Sequence, residues 1–108
     1  MLRVIWVAVV AAFLVGSAQA EDLPHLTIKD HKFQPEQLQV PAGVKFKLMV
    51  RNDDPTAEEF ESFELNREKV VPPGKEIPVF LGPLDPGRQY PFFGDFHRDT
   101  AKGVLVAK

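Results

Sequence analysis

Val44, Phe46, Leu48 and Val50 alternate with Lys45, Lys47, Met49 and Arg51, the period of two that marks a half-buried strand. The same alternation recurs in shorter runs. Leu26 and Ile28 alternate with Thr27 and Lys29, and Leu38 and Val40 with Gln37 and Gln39, ahead of a turn at Pro41-Ala42-Gly43. Further on, Ile77, Val79 and Leu81 alternate with Pro78 and Phe80, where Pro78 predicts an edge strand because proline donates nothing to a ladder. Tyr90 to Phe93 and Val104 to Val106 complete the set. Turn signals at Asp53-Asp54-Pro55, Pro72-Pro73-Gly74, Gly82-Pro83 and Asp85-Pro86-Gly87 separate the runs. Residues 56–69 are the one ambiguous stretch, read as a strand running into an irregular loop. The pattern predicts an all-β antiparallel sandwich of seven to eight strands.

The first twenty residues stand outside that pattern. A basic start at Arg3, an apolar run from Val4 to Val15 and the small-residue ending Ala18-Gln19-Ala20 match a secretory signal peptide. Twelve apolar residues fall short of the roughly 20 that a membrane-spanning helix needs. The expected division is therefore a signal peptide over 1–20 and one domain over 21–108, with a periplasmic destination. Twelve basic and fifteen acidic side chains remain after residue 20, so no clustered positive field is available for nucleic acid. The chain has no cysteine, which excludes disulfides, thiolate nucleophiles, zinc ribbons, iron–sulfur clusters and thiolate copper sites.

Two segments concentrate chemistry. From Asp53 to Glu68 the chain carries seven carboxylates against Arg67, and between the last two strands Asp95, His97 and Asp99 share a loop. Carboxylates and an imidazole converging from two loops suit iron, manganese or Cu(II). On a strand Glu59 and Glu61 project to one face, and Phe60 between them anchors that strand in the core. Asp53, Asp54 and Glu64 read instead as solvated surface, and His25 and His31 as ordinary histidines. Arg67 and Lys69 either orient carboxylates or cover apolar surface with their stems.

The closing order Tyr90, Phe92, Phe93, Gly94, Asp95, Phe96, His97, then Gly103, Val104, Leu105, Val106, resembles the cupredoxin fold, a Greek-key sandwich whose Tyr-x-Phe-x-Cys-x-x-His loop precedes a Gly-led last strand. Tyr90, Phe92, His97 and Gly103 match. Gly94 stands where the copper-ligating cysteine would be, and Thr100 or Ala101 near the methionine, so a type 1 blue-copper site is not expected. The combination AEEFES, NREK at 66–69 and FFGDFH at 92–97 is similar to the small periplasmic cupredoxin-like component of bacterial Ftr-type ferrous-iron permease systems, and more distantly to the cupredoxin domain of Efe-type iron-uptake proteins. That resemblance implies iron and/or copper as the bound ion, with Glu59, Glu61, Glu68, Asp95 and His97 as metal ligands or their immediate supports. It also implies a membrane iron permease and a periplasmic metal-binding protein as partners. Three roles follow: a module that binds iron for uptake, a ferroxidase in which bound Cu(II) helps oxidise Fe(II), or a metal-free domain docking a partner through its acidic loop.

Overall fold

A computed structural model describes residues 23–108; the expected signal peptide lies outside the described residues. Nine strands run in order through them: β1 (His25–Lys29), β2 (Lys32–Gln34), β3 (Gln37–Val40), β4 (Phe46–Asn52), β5 (Glu58–Ser62), β6 (Arg67–Val71), β7 (Glu76–Leu81), β8 (Gln89–Phe93) and β9 (Lys102–Ala107). A short 3-10 turn, Asp95–His97, joins the last two. The strands form two sheets, β2-β1-β4-β7 and β3-β9-β8-β5-β6. Pairing is mostly antiparallel. Because the link from β2 to β3 passes between the sheets, β1 meets β4 and β3 meets β9 in parallel.

The core lies where the two inner faces meet. Leu26, Ile28, Leu48, Val50, Val79 and Leu81 come from the first sheet, and Phe60, Val71, Phe92 and Leu105 from the second. Each is delivered inward by the period-two alternation read from the sequence. At one end Phe33 of β2 sets its ring perpendicular to Phe92, with centroids 4.8 Å apart, and Phe92 stacks on Phe60 at 5.3 Å, offset and edge geometries favoured by the ring quadrupoles. This aromatic group fixes the inner face of β5. Gly103, the second residue of β9, has to be glycine because a Cβ there would run into the Glu36 carbonyl and the Phe92 ring.

Three details depart from the expectation. The strand count is nine because residues 32–34 and 67–71 each make a short ladder, with β1 and β5 respectively. The second converts the ambiguous stretch 56–69 into a hairpin whose turn places Asn66 at φ 52°, a conformation asparagine tolerates. Finally, β4 begins at Phe46, leaving Val44 53% exposed and Phe46 only partly buried at the rim of the core. Pro78 does sit on an edge strand, β7.

Candidate metal centre

A relay of polar contacts assembles one end of the sandwich. Asn52 closes β4 wholly buried, and its amide nitrogen donates to the carbonyls of Thr56 (2.8 Å) and Val71 (3.0 Å) while its oxygen accepts from the Asp54 amide (2.8 Å). The loop before β5 is thereby fixed. Asp54 in turn accepts from the amides of Asp30 (2.7 Å) and His31 (3.0 Å), holding both residues of the β1–β2 turn at positive φ, 52° and 58°. Burial alone would raise the Asp54 carboxyl, but the His31 and Asp30 amides, together with Glu58 and the charge of His31, outweigh it and bring it below its ordinary value. Asp54 is thus a structural strut, 6% exposed. The solvated reading of this residue is corrected: two amide donors replace the water it gives up.

That strut aims His31 at Glu58. The Glu58 side chain is fully buried, and its two oxygens are shared between two imidazoles: His31 Nδ1 donates to Oε1 at 2.7 Å and His97 Nδ1 to Oε2 at 3.1 Å. The two rings stack with centroids 3.5 Å apart and planes inclined by 18°. Two imidazolium rings at that distance would repel, and one carboxylate neutralises one of them. The Glu58 contact, opposed in part by desolvation and helped by the negative charges of Glu58, Asp54 and Asp30, raises the His31 pKa above 6.5. One nitrogen from each histidine and an oxygen of Glu58 lie within 4.8 Å of one another, a donor set of imidazole nitrogen and carboxylate oxygen that suits iron, manganese or Cu(II).

On the opposite face of β5 lies a different group. Glu59 and Glu61 point away from the core, and one oxygen each from Glu59, Glu61 and Asp95 come within 4.8 Å of one another. Glu68 of β6 is paired directly across the ladder from Glu61. Glu59 is buried and accepts the Asp95 amide at 2.9 Å. Burial pushes its carboxyl up to about 7, against the Asp95 amide and with the help of Glu61 and Glu68. Arg98, bonded to Asp95 and lying 4.7 Å over the Phe93 ring, is the adjacent cation.

The five residues singled out in the sequence therefore divide. Glu59, Glu61, Glu68 and Asp95 gather on the outer face, while His97 belongs to the other group, two residues along the same turn from Asp95. Neither Glu58 nor His31 was chosen from the sequence. For Glu58 a signal existed: strand parity puts it on the face of Phe60, and a carboxylate facing the core needs a charged or hydrogen-bonding partner. His31 carried none, because its approach depends on the Asp54 strut 23 residues away. Asp53 pairs with Arg51 and Glu64 with Arg88 at the surface, and His25 lies apart, 3.6 Å from Glu76.

The comparisons agree with this architecture. The sequence profile described as the cupredoxin-like domain matches residues 2–107. An uncharacterized protein of Rickettsia prowazekii (strain Madrid E) is 52% identical over 81 residues, 75% of this chain and 64% of that protein; the chain thus spans less than two thirds of that relative. Among solved structures, amicyanin from Paracoccus versutus superposes with TM-score 0.62 at 12% identity, covering 81% of this chain and 82% of that one. A purple cupredoxin from Nitrosopumilus maritimus gives 0.61 at 15% (79% and 99%), and auracyanin A, a blue copper protein of Chloroflexus aurantiacus, 0.63 at 13% (78% and 96%). These similarities reach the cupredoxin fold at large and not the narrower iron-permease group. A thiolate copper centre does not fit this chain. It has no cysteine, and a Cβ at Gly94 would lie 2.9 Å from the Glu59 carbonyl oxygen and 3.0 Å from the Ala101 Cβ, closer than side chains pack.

Proposed function

The chain belongs to the cupredoxin-like domain family, and on that premise we propose that it is a cation-binding module which takes iron or copper through His31, Glu58 and His97. One observation carries this reading: a fully buried carboxylate whose two oxygens face the Nδ1 atoms of two stacked imidazoles. A divalent ion would replace the Nδ1 protons and resolve the repulsion between the rings. The resemblance of AEEFES, NREK and FFGDFH to a periplasmic component of iron-permease systems supports iron as the cargo, a location outside the cytoplasm, and a permease with a periplasmic metal-binding protein as partners.

A second cation position, at Glu59, Glu61 and Asp95, is favoured by the ladder itself. Like charges directly opposite across a sheet are destabilising, yet Glu61 and Glu68 are so placed beside Glu59. A hard cation such as iron would offset that repulsion. Two sites on the two faces of one strand would bring a bound Cu(II) and an iron close together, the arrangement a ferroxidase role requires.

Isothermal titration with Cu(II), Mn(II) and, under anaerobic conditions, Fe(II) tests both positions. Glu58→Gln, His31→Ala and His97→Ala should each weaken the tighter site at least about tenfold, roughly 1.4 kcal/mol, with Glu59→Gln and Glu61→Gln sparing it. The Cu(II) complex should show only weak ligand-field absorption. Protons compete for the same nitrogens, and the raised His31 pKa places the onset of that competition above pH 6.5. Binding unchanged in all five variants would leave the metal-free docking domain as the surviving account.

A further inference from the structure

The end of the sandwich away from the histidines has a chemistry of its own. Asn52 ends β4 at the candidate metal centre, and Phe46 begins it. Six residues at about 3.3 Å each put the two roughly 20 Å apart. Around Phe46 a groove of about 460 Å³ opens between the edge strands β6 and β7, lined by Lys45, Lys47, Arg67, Phe46, Phe80 and Leu81. Phe80 is 65% exposed and paired directly across the ladder from Lys47. Arg67 spans the gap between the sheets, donating Nε to the Phe80 carbonyl at 3.0 Å and Nη1 to the carbonyls of Asn66 (3.0 Å) and Leu65 (3.3 Å).

Those carbonyls hold the guanidinium in place without neutralising it. Arg51, Arg88 and Arg98 each pair with a carboxylate, whereas among the described residues Lys45, Lys47 and Arg67 pair with none. Three uncompensated cations around an exposed aromatic ring, in a chain of net charge −2, form a surface complementary to carboxylates set beside apolar side chains. Nucleic acid is the poorer match, since three cations make too short a track for a phosphate backbone and the floor is two phenylalanines. From this complementarity we propose that the groove is a docking site for an acidic, aromatic-containing segment of a partner protein. It is independent of the metal reading, because no residue of the groove belongs to either carboxylate group.

The test is an NMR titration of the ¹⁵N-labelled protein, without metal, using a capped peptide of alternating Glu and Leu around a central Phe. A peptide with Lys in place of Glu is the control. Shifts confined to residues 44–48, 65–67 and 79–82, weakened by added salt, support the proposal. Lys45→Glu/Lys47→Glu should then raise Kd at least about tenfold, and Phe80→Ser, a change at an exposed position, about threefold or more. Both variants should titrate with Cu(II) as the parent does. The proposal is overturned by an absence of groove shifts at about 1 mM peptide, the weak end of specific affinity. Equal binding of the control peptide, parent-like affinity in both variants, or sedimentation showing a second copy occupying the groove would each overturn it as well.

Discussion

Glu58 and Glu59 are neighbours on β5, both buried, and the fold treats them in opposite ways. Glu58 faces inward to two imidazoles, which supply it with donors and positive charge. Glu59 faces outward into other carboxylates, and its ionised form is favoured by the Asp95 amide and by the charge of nearby Arg98. One raises the pKa of its histidine partner; the other has its own raised to about 7. Burial is common to both, so the difference comes from the sign of the charge each side chain meets. A strand whose successive residues point to opposite faces can therefore hold two unlike ionic sites within one peptide unit.

The largest effect expected is on both faces at once. Phe60→Ala removes the fully buried ring that fixes β5 against Phe33 and Phe92 and should cost about 3 to 5 kcal/mol, measured by urea denaturation. A loss below about 1 kcal/mol would show that the strand is held without it. Phe46→Ala, at the rim, should cost less than Phe60→Ala in the same measurement.

Next come substitutions of opposite sign. Glu58→Ala leaves both imidazoles without their shared acceptor and should destabilise by about 1 to 3 kcal/mol at pH 6. Glu59→Gln removes a carboxylate that must ionise while buried and keeps an acceptor for the Asp95 amide. It should stabilise the metal-free protein at pH 8 by no more than about 3 to 4 kcal/mol, from 1.36 kcal/mol per pKa unit over the shift from 4.5 to about 7. The charge of Arg98, which attracts the ionised carboxylate, reduces that gain. Equal signs for the two variants would erase the contrast between the faces.

A smaller and more diagnostic effect is the pH profile. Glu59 has a folded pKa above its unfolded value of 4.5, so its contribution is complete below pH 4.5 and is lost as pH rises through about 7. His31, also raised, contributes fully below 6.5 and loses that contribution as pH rises through its folded value. Asp54 runs the other way: lowered in the fold, it contributes above 3.8 and fails as pH falls through its folded value. Stability without metal should then peak on the acid side of neutrality and decline toward pH 8. Thermal melts across pH 3 to 9 would show this, and Glu59→Gln should flatten the stretch between 4.5 and 7. A parent profile still rising between pH 5 and 8 would contradict the arrangement of charges on the outer face.

Smallest of all should be Asp53→Asn and Glu64→Gln, whose partners Arg51 and Arg88 are exposed. Exposed pairs contribute about 0 to 1 kcal/mol, and neither change should alter metal titration. A clear loss of binding in either would extend the site to a surface pair that touches neither group.

Period-two alternation, read with the turn residues, was enough to place β1, β3, β4, β7, β8 and β9 and to assign the all-β sandwich, because side-chain parity along a strand is a local property of the backbone. The missing cysteine settled the exclusion of a thiolate copper site by composition alone. Parity likewise put Glu59 and Glu61 on one face. It did not say which loop each face would meet. The contacts that decide this join Asp54 to His31 across 23 residues, Glu58 to His31 across 27 and Glu58 to His97 across 39. They exist only once two sheets have closed on the core and brought the β1–β2 turn, the start of β5 and the turn after β8 to the same end. Local pattern records the direction in which a side chain points, and only the packing of the sheets determines what stands in front of it.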